Sequence, residues 1–65
     1  MNKDHYYPER LAEIRKSVGT QKKVAELVKV TNTQISRAEN GKSASYELLS
    51  AIAKLGKRDV QEILK

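Results

Sequence analysis

Between Asn32 and Arg37 the chain sets five short or flat polar side chains, Asn32, Thr33, Gln34, Ser36 and Arg37, around one apolar residue, Ile35. No proton-transfer or metal chemistry follows from such a set. What it offers is hydrogen-bond donors and acceptors close to a backbone. On a helix, Asn32, Thr33, Ser36 and Arg37 fall at i, i+1, i+4 and i+5, which is one face. A surface of that kind suits the major groove of duplex DNA, about 12 Å wide, where base edges are read by small polar groups. Arg37 matches a guanine edge, Asn32 an adenine, and the Thr33 methyl a thymine methyl. Gln34 lies beside this face, but a capping role competes with a base contact there. The plainer alternatives are that Asn32 and Thr33 serve as first-turn residues of a solvated helix, and that Arg37 pairs with a neighbouring acid.

A second group would hold a phosphate backbone. Gln21 and Lys22 stand where a helix begins, and free N–H groups with the helix dipole favour an anion there. Asn40, Lys42 and Ser43 follow the polar helix, and Arg10 opens the first one; all are candidates for phosphate. The lysines beginning the second helix could equally form an ordinary solvated face. Arg10 is contested, because Glu39 needs a cation and Arg10 or Arg15 could provide it.

The elements that must carry these residues are legible as helices. Residues 1–7 form a polar tail without periodicity, and residues 8–65 form the folded domain. Pro8 suits a first helical position, and Leu11, Ile14 and Val18 make one stripe, so helix 1 is expected over 8–17, ending before Gly19. Thr20 caps helix 2, about 21–28, with Val24, Ala25 and Val28 inward. Thr31 and Gln34 form a capping-box pattern that opens helix 3, with Ile35 and Ala38 inward and Gly41 at its end. Ser45, or alternatively Ser43, caps helix 4, where Tyr46, Leu49, Ile52 and Ala53 share a stripe that Gly56 closes. Leu27 and Leu48 lie at the edge of the core, or line a dimer contact. Residues 59–64 read as a short fifth helix with Val60, Ile63 and Leu64 packing back. No stretch alternates with a period of two, so the expected fold is all-α, five short helices around one core.

Composition narrows the function. Sixty-five residues make one small domain, and a chain this short buries only about 60% of its unfolded surface. A large enclosed catalytic pocket is therefore not expected. There is no cysteine and one histidine; His5 has no partner that would make it a ligand or base, and no glycine-rich phosphate loop is present. The reading is of a protein that is not an enzyme and needs no cofactor or metal. Apolar runs are only a few residues long, too short for a membrane span or signal peptide. Thirteen Lys and Arg against eight Asp and Glu give a net charge of +5, which permits and speeds binding to a polyanion without specifying one.

Positions within Gln21–Asn40 resemble the helix-turn-helix of the phage-repressor family, the Cro and C1 type of the xenobiotic-response-element class. Gln21 opens helix 2, Ala25 is the small residue where helices 2 and 3 cross, Val30 is the apolar turn residue, and Glu39-Asn40-Gly41-Lys42 closes helix 3. Leu11 and Arg15 resemble the family's first helix, and Ile52-Ala53-Lys54 with Leu55-Gly56 its fourth. Lys29 stands where the family usually has glycine, because that turn residue often takes positive φ. The resemblance implies a lambda-repressor-like domain in which the helix 3 residues named above read bases. It implies a sequence-specific transcriptional regulator, a repressor, cytoplasmic and of bacterial or phage origin. Its partner would be a double-stranded DNA operator, bound as a homodimer through helix 4–5 surfaces or the tail, in solution or only once on DNA. The competing expectation is an antitoxin-like or adaptor module that keeps the fold for protein contact. The three tyrosines are expected to pack on helix 1 or 4, the alternative being an arm on the DNA backbone.

Overall fold

Capping side chains set where the helices begin. In the computed structural model, which describes residues 2–65, α1 (Pro8–Val18) opens on Pro8 and ends at Gly19, whose N–H donates to the Arg15 carbonyl at 2.9 Å. Helix α2 (Gln21–Val28) starts from Thr20, its hydroxyl accepting from the Lys23 N–H at 3.1 Å. Helix α3 (Asn32–Glu39) carries the full capping box: the Thr31 hydroxyl accepts from the Gln34 N–H, and the Gln34 side-chain oxygen accepts from the Thr31 N–H. Helix α4 (Tyr46–Leu55) is capped by Ser45 and not Ser43. Each such cap contributes about 1 kcal/mol.

The expected fifth helix is shorter than its sequence pattern. Only a single 3₁₀ turn forms, over Val60–Glu62, with the Asp59 carboxylate accepting from the Gln61 N–H. The backbone after it is engaged elsewhere. Leu64 and Tyr6 form an isolated antiparallel bridge. The Tyr7 N–H donates to the Ile63 carbonyl at 2.7 Å, and the Lys65 N–H donates to the His5 carbonyl at 3.1 Å. Pairing with the tail thus takes the Lys65 N–H, which a longer helix would have turned back on itself, and satisfies the Ile63 carbonyl, which a helix end would have left open. The fold is all-helical, four α-helices and one 3₁₀ turn among the described residues.

Two lysines take the left-handed conformation that glycine favours. Lys29, at φ 61°, ends α2 and lets the Val30 N–H reach back to the Ala25 carbonyl at 2.9 Å. That arrangement satisfies an otherwise orphaned carbonyl, and it gives the helix-turn-helix turn its positive φ without glycine. Lys57 does the same after α4, with the Arg58 N–H donating to the Ala53 carbonyl at 2.8 Å. Gly56 closes α4 as expected, its N–H donating to the Ile52 carbonyl at 3.2 Å, but at φ −85° it does so without the left-handed conformation. Its role is room: a Cβ there would lie 2.5 Å from Cγ2 of Ile14, where α1 and α4 meet.

The core unites Leu11 and Ile14 of α1, Val24 and Ala25 of α2, Ile35 and Ala38 of α3, and Leu49, Ile52 and Ala53 of α4, with Ile63 beneath them. These are the inward faces that the apolar stripes predicted. Tyr6 joins them from the tail, fully buried, and its hydroxyl donates to the Ala38 carbonyl at 2.6 Å. Its anchor is therefore the last turn of α3 rather than helix 1 or 4. Burial raises the Tyr6 phenol above its ordinary pKa, so it stays a donor through neutral pH. Tyr46, expected on the inward stripe of α4, is 51% exposed. Leu27 is 47% exposed, whereas Leu48 packs at the edge of the core.

Candidate nucleic-acid interface

Helix α3 has two contrasting sides. Ile35 and Ala38 are wholly buried, while Asn32, Thr33, Gln34 and Arg37 are exposed and Ser36 is half-buried. The side chains of Asn32, Thr33, Ser36 and Arg37 make no hydrogen bond or ion pair with other described residues. Arg37 in particular is not paired with an acid. Gln34 is different, because its side-chain oxygen is committed to the cap at 2.9 Å from the Thr31 nitrogen. Only its NH₂ group remains free to donate outward. A shallow groove beside α3 has Gln34 and Arg37 on one wall, with Ser43, Ser45 and Leu48 on the other.

What holds α3 at its angle to α1 and α2 is a charged cluster. Arg15 grips Glu39 with two hydrogen bonds, Nε to Oε2 at 2.6 Å and Nη2 to Oε1 at 2.8 Å. A third donor, Gln21 Nε2, reaches Glu39 Oε1 at 3.2 Å, and Arg15 also donates to the Gly19 carbonyl. Three helices are thereby tied at one carboxylate. Burial by itself would raise the Glu39 carboxyl, but the hydrogen bonds from Arg15 and Gln21, with the charges of Arg15 and Lys16, outweigh it and hold the pKa below its ordinary value. The acid beside this polar surface is thus neutralised within the protein.

The expected phosphate group divides accordingly. Lys22 is exposed at the start of α2, next to first-turn N–H groups that have no partner in the helix. Asn40, Lys42 and Ser43 are exposed just beyond α3. The Lys42 N–H closes the helix on the Arg37 carbonyl at 3.0 Å, and Gly41 takes φ 74° to allow it. Gln21 stands at the same helix start as Lys22, but its side chain is drawn onto Glu39. Arg10 stands apart. It lies five residues before Arg15, about 140° around α1, and donates to the Glu62 carbonyl at 3.1 Å while covering the Tyr7 ring at 4.3 Å. It shares a cleft with Glu13, Ile14, Arg58 and Glu62, on the side of α1 away from Arg15.

Two features escaped the sequence: the Gln21–Glu39 bond, and the placement of the tail against the end of α3. Neither has a local signature, since each joins residues far apart in the chain. No helix of the described residues is long and apolar enough to cross a membrane.

Comparison with known proteins agrees with this geometry. A family model described as helix-turn-helix matches residues 11–63. No curated protein and no solved structure gives a significant match. The matched span runs from the first core residue of α1 to the last buried residue, Ile63, and includes α2, α3, α4 and the Arg15–Glu39 pair, but not the Tyr6 anchor. The chain belongs to the helix-turn-helix family of Cro/C1 type, and it is a DNA-binding regulator of that family.

Proposed function

We propose that this regulator is a repressor that recognises a specific operator by laying α3 in the major groove. The single observation that carries this is the division of α3: its apolar residues are fully buried, while Asn32, Thr33, Ser36 and Arg37 have no partner among the described residues. Burying the unpaired Arg37 against anything but a complementary polar surface would be costly, so its natural complement is a base edge. Asn32, Thr33, Ser36 and Arg37 read bases, and the Gln34 NH₂ adds a donor at the edge. Lys22 and the N–H groups beginning α2 bind one stretch of phosphate; Asn40, Lys42 and Ser43 bind another. Gln21 contributes through its backbone, its side chain being held by Glu39. Arg10 is left out of the interface because it faces the chain's C-terminal turn. Two copies on a two-fold site would read half-sites about 34 Å apart, and covering a promoter suffices for repression.

A protein-contact role draws some support from exposed Leu27 and from a groove lined by Val28, Val30, Leu48 and Ala51 together with Ser45 and Glu47. Partner binding insensitive to salt would favour it.

The test is selection of duplexes from a random pool, followed by two variants. Arg37→Ala is expected to cost about 1–3 kcal/mol and relax preference at one base pair, whereas Lys42→Ala weakens all duplexes alike and lowers the salt slope by about one. A pool that yields no enriched sequence, or variants that both bind unchanged, would reject the reading.

A further inference from the structure

The tail supplies a lysine to the same edge of the molecule as Lys42. We propose that Lys3 is a further DNA-phosphate contact, an inference that rests on the DNA-facing assignment of α3. The Lys3 N–H donates to the Gly41 carbonyl at 3.0 Å, and the Lys65 ammonium donates to the Lys3 carbonyl at 2.7 Å. Both backbone groups of Lys3 are therefore held. Three residues on, Tyr6 locks the tail into the core through Ala38, in the last turn of α3. Gly41 makes the approach possible: a Cβ at that position would lie 2.8 Å from Cβ of Lys3 and 3.0 Å from Cγ of Pro8.

The side chain of Lys3 is exposed and makes no ion pair among the described residues, and the same holds for Lys42 on the other side of Gly41. Glu39, the nearby acid of α3, is occupied by Arg15 and Gln21. Asp4, adjacent in sequence, forms no ion pair with Lys3. Lys3 and Lys42, on either side of the Gly41 turn and without ion pairs among the described residues, together with the Lys65 ammonium at the Lys3 carbonyl, concentrate positive charge that favours an anion at this edge. Asn40 and Lys42 already stand at this edge, so the anion available there is the phosphate backbone, whose charges recur on each strand every ~3.4 Å of helix axis. The phosphate-binding rim thus continues from the end of α3 onto the tail. Because the tail is folded down rather than free, this contact needs little additional ordering.

The experiment measures binding of pool-selected and scrambled duplexes across a salt series for wild type, Lys3→Gln and Lys57→Gln. Lys57 removes the same charge but lies at the other end of α1, where Gly56 packs on Ile14. Lys3→Gln is expected to weaken both duplexes alike and to reduce the log–log salt slope by about 0.9, with its melting temperature unchanged; Lys57→Gln should leave the slope at the wild-type value. A slope for Lys3→Gln equal to that of wild type or of Lys57→Gln overturns the assignment. If that occurs while Arg37→Ala still relaxes specificity, the reading of α3 stands and only Lys3 is removed. Wild-type protein that binds neither duplex overturns both.

Discussion

Replacing Glu39 with Gln keeps the shape of the side chain and removes the charge on which three helices converge. Arg15 and Glu39 have side chains only 11% and 9% exposed, so the guanidinium left behind has little water to turn to. Breaking a fully buried pair costs about 3–5 kcal/mol. Some solvent access and the surviving bond to Gln21 reduce this, and we expect a loss of about 2–3 kcal/mol for Glu39→Gln at pH 7. A domain of 65 residues has a total stability of roughly 3–10 kcal/mol. The loss should appear as a fall of about 10–20 °C in the melting temperature. The pH dependence is a second check. The folded Glu39 pKa is depressed, so its stabilisation is complete above the unfolded value of about 4.3 and disappears as pH falls through the folded value. Thermal melts followed by circular dichroism should show a wide gap between wild type and variant at pH 7, narrowing below about pH 4. A gap under about 0.5 kcal/mol at pH 7, or one that does not change with pH, would refute the argument.

Two further outcomes follow from the backbone and the tail. Lys29→Gly removes a left-handed lysine that costs about 1–2 kcal/mol but loosens the unfolded chain, for a net gain of about 0.5–1 kcal/mol. It should appear as a higher denaturation midpoint with an unchanged slope, and destabilisation would contradict the positive φ. Tyr6→Phe leaves the Ala38 carbonyl without its donor and should cost about 1–2 kcal/mol; a melting temperature equal to wild type would show that the hydroxyl bond is not made.

Helix existence, helix ends and the division of α3 into a buried and a polar side were readable because they depend on residues within one turn of each other. Ile35 and Ala38 alternate with Asn32, Thr33, Ser36 and Arg37 at helical spacing, and Thr31 with Gln34 announces the cap in its own letters. The same locality made Gly41 legible as a terminator. Gly56 was legible as the end of α4 as well, but not as the residue that leaves room for Ile14, because that need is set by another helix. Choosing between Arg10 and Arg15 for Glu39 also required tertiary structure, since both lie on α1 and only their angle and height on it, set against α3, separate them. The fifth helix failed for a related reason: its pattern is local, but Tyr6, Tyr7 and His5 compete for its backbone from the far end of the chain. What the residues alone determined, then, is which helix presents a polar face and how it is capped. What tertiary packing decided is which charges are neutralised within the protein and which, including Lys3 beside Gly41, have no ion pair among the described residues. Electrostatic pairing depends on distance in space, and sequence separation does not report it.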